Sequence, residues 1–361
     1  MLYPYKMMPV YKNYLWGGYN LKRLGKVVPE GPVAESWELS DMRESESRVA
    51  NGFLRGENLT ELIQRYGKLI IGENPASNST DTGLPVLLKF IDANDRLSIQ
   101  VHPDDEYARK QENGKSGKTE VWYVLDANPD SSVVHGFREG LVPKRIKCSI
   151  KKGKHKNLYR EVAVKKGDVI FVPAGTVHAL NGGLVVAEIQ QPSDLTYRLY
   201  DYDRTDTAGE KRPLHIEKAL NVLDYKTYKA VFGGLAIRKD KITGKYLAMS
   251  RNFCVRQIES MGDPVELNAD GTLSAWMFLS GEAEIISKAE KVCVSALDTV
   301  LIPAFLGKYR MEGRFSALQI FPVENVMNEY DLLISEGYTN DEIMNNIAGA
   351  EHLSSTFQIA V

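Results

Sequence analysis

The sequence predicts a mainly β protein made of two related β modules, with a few peripheral helices and a helical carboxy-terminal tail. Short runs of β-branched and aromatic residues, punctuated by Gly, Pro, Asn and Asp, dominate the middle of the chain. A weak internal repeat places similar strands in two halves of the chain. Strands at this spacing favour a sandwich or a barrel over alternating strands and helices.

The predicted strands of the first module are short and regularly spaced. They lie at residues 84–91, 97–102, 120–125, 131–137, 169–173, 184–190 and 196–202. Each run is rich in residues that fit a half-buried pleated surface, and each is bounded by turn-forming residues.

Helical periodicity is found in four segments. Asn58 and Glu61 resemble a capping pair, and apolar residues then recur at helical spacing as far as Ile70. A second helix is predicted over 215–223 and a third over 325–336. The fourth, over 341–347, follows a capping box made by Thr339 and Glu342. We expect the two tail helices to pack on the second module; the alternatives are that they cap a barrel edge or form an oligomer contact.

The repeat rests on two pairs of segments. Residues 167–174 read Gly-Asp-Val-Ile-Phe-Val-Pro-Ala, and residues 297–304 read Leu-Asp-Thr-Val-Leu-Ile-Pro-Ala. A strand centred on Trp122 precedes the first segment, and a strand centred on Trp276 precedes the second. Chance recurrence of an Asp-apolar-Pro pattern is the alternative explanation.

Composition excludes several classes of protein. The 361 residues allow one large domain or two smaller ones, and 45 Lys and Arg against 47 Asp and Glu give a formal charge of -2. This balance argues against a protein that coats nucleic acid or an anionic membrane. No apolar run is long enough for a signal peptide or a membrane span, so a cytoplasmic protein is expected. The three cysteines are too scattered for a disulfide framework or a cysteine zinc site.

Polar residues within the predicted strands suggest a metal site. The two-residue period of a strand places Ser98, Gln100 and His102 on one face. The same period places Lys118 beside Glu120, and His178 follows a tight turn after another strand. Two imidazoles, a carboxylate and a carboxamide are suitable ligands for zinc and similar metals. The alternative is that these are ordinary histidines, which is how we interpret the remaining four, His135, His155, His215 and His352.

The segment 167–181 closely resembles the second sequence motif of the cupins. The matching residues are Gly167, Pro173, Gly175 and His178, with Asn181 one position earlier than usual. The resemblance implies a jelly-roll barrel that holds a metal in its mouth or interior.

Several further segments together resemble the type I mannose-6-phosphate isomerases, in particular their short bacterial branch. They are Ser-Ile-Gln-Val-His-Pro at 98–103, Lys-Thr-Glu at 118–120, Ser-Asp-Leu-Thr-Tyr-Arg at 193–198, Trp-Gly-Gly at 16–18 and Ala-Glu-Ser-Trp-Glu at 34–38. The resemblance covers residues 2–322 and leaves the tail unmatched. Together with the internal repeat, the resemblance predicts a metal-bearing catalytic cupin domain at 1–236 with helical insertions and a second, ligand-free cupin-like domain at 237–322. The helical tail at 323–361 is predicted from periodicity alone.

The resemblance also implies roles for individual residues. The ligands of one Zn²⁺ per chain would be Gln100, His102, Glu120 and His178. Arg198 would be the catalytic arginine, and Lys118, Asp194 and Ser98 would line the pocket. In the second module, Ser274 would replace Glu120 and Lys308 would replace His178, so that module is expected to lack the metal.

The implied reaction converts mannose 6-phosphate into fructose 6-phosphate and back, through an enediolate stabilised by zinc and Arg198. The proton carrier is left open between Lys118, Asp194 and a zinc-bound water. Ser98, Lys89, Lys118 and Arg198 are the candidates for substrate binding, although Lys89 could equally be a surface lysine and Arg198 could pair with Asp194 or Asp201.

Two other functions are compatible with the cupin motif. One is an Fe(II) dioxygenase, and the other is a non-catalytic sugar-binding cupin. The sequence leaves the oligomeric state open.

Overall fold

The computed structural model describes residues 2–73, 83–206, 209–238, 242–269 and 271–353. The strands are β1 (Tyr5–Met8), β2 (Val10–Lys12), β3 (Glu35–Leu39), β4 (Arg48–Val49), β5 (Leu87–Ala93), β6 (Ile99–Val101), β7 (Glu120–Ala127), β8 (Ser132–Phe137), β9 (Tyr159–Ala163), β10 (Val169–Val172), β11 (His178–Leu180), β12 (Leu184–Gln190), β13 (Tyr197–Tyr200), β14 (Val231–Phe232), β15 (Leu235–Ala236), β16 (Thr243–Met249), β17 (Phe253–Met261), β18 (Val265–Ala269), β19 (Ser274–Ser287), β20 (Lys291–Ser295), β21 (Thr299–Ile302) and β22 (Gly307–Pro322). The helices are α1 (Asn20–Arg23), α2 (Leu59–Tyr66), α3 (Lys68–Ile71), α4 (Asp105–Gln111), α5 (Pro143–Lys151), α6 (Ile216–Val222), α7 (Val326–Ser335) and α8 (Asn340–Asn346), followed by a 3-10 turn at Ala350–Leu353.

The first barrel is made of two antiparallel sheets. One has seven strands in the order β14-β10-β7-β12-β5-β3-β2, and the other has five in the order β13-β6-β11-β8-β9. An apolar cluster joins the sheets, with Trp122 and Ile170 from the first and Val133 and Leu180 from the second. Side chains alternate along a strand. The face of each sheet that carries this cluster therefore lines the barrel interior, while the opposite face packs outwards.

The second barrel is built on a ten-stranded sheet with the main path β15-β16-β17-β22-β19-β21-β1-β4. Trp276, Phe278 and Val300 belong to its own apolar cluster. The predicted fold class, two cupin-type jelly-roll barrels with few peripheral helices and a helical tail, is confirmed. The amino-terminal strand β1 pairs with β21 of this sheet, with Tyr5 opposite Leu301. The division of the chain at residue 236 stays a prediction.

The two segments of the internal repeat occupy the same register in their sheets. Trp122 of β7 lies opposite Ile170 of β10, and Trp276 of β19 lies opposite Val300 of β21. The repeated Asp is preceded by Gly167 in the first module and by Leu297 in the second. Both residues adopt positive φ, at 89° and 65°. A leucine therefore adopts the left-handed conformation that glycine adopts in the first module.

All seven predicted strands overlap observed strands, and 184–190 matches β12 from end to end. The predicted helix over residues 59–70 is interrupted at Gly67, where φ is 48° and the chain begins α3. Helices α4 and α5 were not predicted. Only Ala108 of α4 is buried, so its sequence carries no apolar stripe, and α5 is dominated by lysine and arginine.

The tail packs on the second barrel as expected. Thr339 and Glu342 form the predicted capping box at the start of α8. Leu333 and Ile343 of the tail share an apolar cluster with Tyr246 and Met249 of the sheet. In the described part of the chain, no helix combines the length and apolar character that crossing a membrane requires.

Candidate metal centre and active site

Three neighbouring strands of the five-stranded sheet bring the candidate residues together. Gln100 of β6 lies opposite His178 of β11 on one side and opposite Arg198 of β13 on the other. His102 follows β6 directly, and Glu120 begins β7 in the facing sheet. The site is therefore assembled across the barrel interior, from strands far apart in sequence.

His102, Glu120 and His178 form a compact buried group. Their candidate ligand atoms all lie within 4.8 Å of one another. His102 Nε2 is 3.1 Å from Glu120 Oε1 and 3.1 Å from His178 Nε2, while Glu120 Oε2 is 3.8 Å from His178 Nε2. Each of the three side chains is at most 1% exposed.

Backbone carbonyls determine the tautomer of both histidines. His102 Nδ1 lies 2.7 Å from the carbonyl oxygen of Leu195, and His178 Nδ1 lies 2.8 Å from that of Thr176. A carbonyl only accepts, so each Nδ1 carries the proton and each Nε2 presents a lone pair. Two lone pairs facing each other at 3.1 Å repel unless a cation lies between them, so this donor set fits a metal ion.

The protonation states also suit a metal. Burial, reinforced by Lys118, lowers the pKa of His102 to about 3, and burial lowers the pKa of His178. Burial alone would raise the pKa of Glu120, but the ammonium of Lys118 outweighs it and holds that pKa well below its usual range. The group therefore offers two neutral imidazoles and one carboxylate.

Gln100 and Lys118 adjoin this group. The amide nitrogen of Gln100 lies 3.4 Å from His178 Nε2, and its oxygen lies 3.4 Å from the hydroxyl of Ser98. Lys118 is 5% exposed, and its ammonium lies 2.7 Å from Glu120 Oε1 and 3.4 Å from His102 Nε2. All four predicted ligands and Lys118 thus come together.

Arg198 lies at the edge of the group, and its guanidinium forms no salt bridge with a carboxylate in the described part of the chain. It donates hydrogen bonds to Ser98 Oγ at 3.3 Å and to the carbonyl of Pro213 at 2.9 Å. Burial, followed by the like charge of Arg212, lowers the pKa of Arg198. Asp201 is hydrogen-bonded to Arg204 and Arg212 instead, so it is not the salt-bridge partner considered for Arg198.

Comparison with known proteins identifies the family. The profile described as phosphomannose isomerase type I, catalytic domain, matches residues 5–132. Mannose-6-phosphate isomerase ManA of Bacillus subtilis is 33% identical over 310 residues, which cover 86% of this chain and 96% of the relative. The mannose-6-phosphate isomerase of Streptococcus mutans is 34% identical and covers 83% of this chain and 92% of its own. The chain belongs to the type I mannose-6-phosphate isomerase family.

Solved structures agree with this assignment. The crystal structure of the mannose 6-phosphate isomerase from Bacillus subtilis superposes with a TM-score of 0.78 at 30% identity, covering 88% of this chain and 99% of the other. The apo form of the enzyme from Salmonella typhimurium, at 16% identity and a TM-score of 0.70, covers 89% of this chain and 100% of its own and shares the fold.

In this type I isomerase chain, Lys89 and Asp194 were predicted to line the pocket, and the structure shows both in contact with polar side chains of the protein. Lys89 is 6% exposed, so its interpretation as a surface lysine is wrong. Its ammonium lies 2.9 Å from Glu188 and 2.8 Å from the side-chain oxygen of Gln190. The half-exposed carboxylate of Asp194 pairs with Lys115 at 2.9 Å. The substrate role of Lys89 and the catalytic role of Asp194 stay predictions.

Sequence reasoning missed several polar and charged residues of the barrel and of the loop after β13. Glu188 and Gln190 occupy alternate positions of an otherwise apolar strand, and this period-2 signal was sufficient to place both on the interior face. Arg204 and Arg212 were missed because they lie in the loop after β13, where no periodicity applies.

The second barrel of this isomerase fold differs at the equivalent positions. Ser274 is buried and accepts a hydrogen bond from the indole of Trp276 at 3.2 Å, while Lys308 is exposed. Among the described residues, the group formed by His102, Glu120 and His178 is the one cluster of at least three His, Cys, Asp or Glu ligand atoms that could hold a metal.

Proposed function

We propose that this protein interconverts mannose 6-phosphate and fructose 6-phosphate in the cytoplasm with one zinc ion per chain. The ligands in this proposal are Gln100, His102, Glu120 and His178. The supporting observation is the buried pair of imidazole lone pairs 3.1 Å apart beside a carboxylate, in a chain of this family. The repulsion within such a donor set is relieved when a dication accepts the lone pairs.

The reaction moves a proton between C1 and C2 of the open-chain sugar and builds negative charge on the enediolate oxygens. A bound zinc ion supplies positive charge that stabilises these oxygens. The guanidinium of Arg198, which forms no ion pair with a carboxylate of the described residues, supplies a second, permanent positive charge. Its N–H groups beyond those that donate to Ser98 and Pro213 are left to donate to these oxygens.

Lys118 is our candidate for the proton carrier. Its ammonium is buried beside the metal-binding group, 2.7 Å from Glu120 and 3.4 Å from His102. A carrier must lie within hydrogen-bond reach of the reacting carbons and be shielded from water, and the buried position of Lys118 meets the second requirement. Asp194 is a weaker candidate because it is half exposed and paired with Lys115.

A local excess of positive charge suits the phosphate group. Arg212 and Arg204 both repel the positive charge of Arg198, while Asp201 forms ion pairs with Arg204 and Arg212. Since the chain as a whole carries a charge of -2, attraction for a sugar phosphate depends on such local cations. The ammonium of Lys89 contributes less because Glu188 neutralises it.

An Fe(II) dioxygenase is the second candidate, because two histidines and one carboxylate also suit ferrous iron. Gln100 beside the triad, together with Lys118 and Arg198, favours the isomerase. Oxygen uptake by iron-loaded protein in the absence of isomerase activity would support the dioxygenase.

The test is metal removal followed by reconstitution. We expect about one zinc per chain in purified protein, loss of mannose 6-phosphate conversion after treatment with a chelator, and recovery on adding Zn²⁺. A coupled assay on other hexose phosphates, with and without zinc, defines the substrate. A metal-free preparation with full activity would contradict the proposal, and sugar-phosphate binding without turnover by zinc-loaded protein would indicate a non-catalytic cupin.

A further inference from the structure

The indole of Trp122 links two buried carboxylates behind the metal-binding group. Its Nε1 donates to Glu120 Oε2 at 3.1 Å and to Glu188 Oε2 at 3.1 Å. The side chain is 2% exposed and packs in the apolar cluster of the barrel interior, with Val124 and Ile170 as neighbours. Because this packing holds the ring in place, the direction of its N–H group is set before any ligand binds.

Trp122 also contacts a second predicted ligand. Its ring lies edge-on to the imidazole of His178, with the centroids 5.6 Å apart and the planes at 70°. On Glu120, the indole bonds to Oε2, while Oε1 faces His102 at 3.1 Å and Lys118 at 2.7 Å. The indole of Trp122 therefore restrains one oxygen of the Glu120 carboxylate, while His102 and Lys118 contact the other.

The second barrel contains the same arrangement without the carboxylate. Trp276 occupies the equivalent register and is fully buried, and its Nε1 donates to Ser274 Oγ at 3.2 Å. A hydrogen bond from tryptophan to the side chain two residues earlier is thus a feature of both modules. The first module differs in that the acceptor is a candidate metal ligand.

We propose that Trp122 is a positioning residue for the metal, acting through its N–H bond to Glu120. The inference rests on the metal site of the proposed function. A ligating carboxylate that is hydrogen-bonded from behind keeps one orientation, and loss of such a partner typically weakens metal affinity about 10- to 100-fold.

The experiment compares Trp122→Phe with the matched variant Trp276→Phe. Both remove one buried indole N–H at equivalent positions, so Trp276→Phe controls for the change of ring size and the loss of one buried donor. We measure Zn²⁺ affinity by competition with a chromophoric chelator, and record the visible spectrum of Co²⁺-loaded protein. Trp122→Phe is expected to weaken Zn²⁺ binding about 10-fold or more and to shift the Co²⁺ spectrum, whereas Trp276→Phe leaves both unchanged.

The inference would be overturned if both variants kept the Zn²⁺ affinity and the Co²⁺ spectrum of the wild type. It would also be overturned if both lost Zn²⁺ affinity to the same extent. If wild-type protein itself binds no zinc, the proposed function fails instead, which keeps the two outcomes distinguishable. Should Trp122→Phe not fold, benzothienylalanine introduced at position 122 keeps the ring shape and removes the N–H alone. Unchanged Zn²⁺ affinity in that variant would overturn the inference in the same way.

Discussion

Replacing Arg198 with alanine separates the role of charge from the role of the metal. In the structure Arg198 makes two hydrogen bonds to neutral groups, Ser98 Oγ and the Pro213 carbonyl. Each contributes about 1 kcal/mol to stability, and removing Arg198 also relieves its repulsion with Arg212. We therefore expect Arg198→Ala to lower the free energy of unfolding by about 1–2 kcal/mol at most.

The expected effect on catalysis is larger. A directed donor at a developing negative charge is typically worth about 10²- to 10³-fold in rate, which corresponds to about 3–4 kcal/mol of barrier. Because none of the four proposed metal ligands bonds to the guanidinium, Arg198→Ala should keep the zinc content of the wild type. The variant should thus be folded and metal-loaded but slow.

The assay is the conversion of mannose 6-phosphate, measured alongside zinc content and urea unfolding of the same preparations. Arg160→Ala is a matched control, because Arg160 is also half-buried and donates to two backbone carbonyls, those of His135 and Tyr228. A fall in zinc content in proportion to activity would refute the separation of roles. So would a kcat/KM within about threefold of wild type, since this corresponds to less than about 1 kcal/mol.

Two further substitutions test the site and the tail. His178→Ala removes one of the proposed ligands, a buried imidazole, and should abolish both zinc binding and isomerase activity, as measured by metal analysis and the coupled assay; retained zinc at wild-type affinity would be inconsistent with the proposed ligand set. Leu333→Ala should reduce the free energy of unfolding by about 2–5 kcal/mol, because the side chain is fully buried in the cluster between tail and sheet, while the zinc content of the folded protein stays the same. A change below about 0.5 kcal/mol would show that the tail does not contribute to the cooperative fold.

Local patterns predicted seven strands of the first module because each is a short apolar run bounded by turn-forming residues. Residues 184–190 form an almost wholly apolar run, and the observed strand has these bounds. Helices without an apolar stripe escaped prediction, as α4 shows with its single buried residue, Ala108. The helical spacing of apolar residues continues through Gly67, but the helix itself does not. The positive φ of Gly67 ends α2, and α3 begins after it.

The sequence by itself determined which residues share a strand face, and hence that Ser98, Gln100 and His102 point the same way. It also determined the two modules, since the repeat occupies the same register in both. Only the tertiary structure decided which charges meet. Lys89 and Glu188 lie 99 positions apart and pair inside the barrel, so no local pattern could show that Lys89 is neutralised. The same holds for the lone pairs of His102 and His178. These two residues lie 76 positions apart in sequence, and only the pairing of distant strands brings their Nε2 atoms to 3.1 Å from each other.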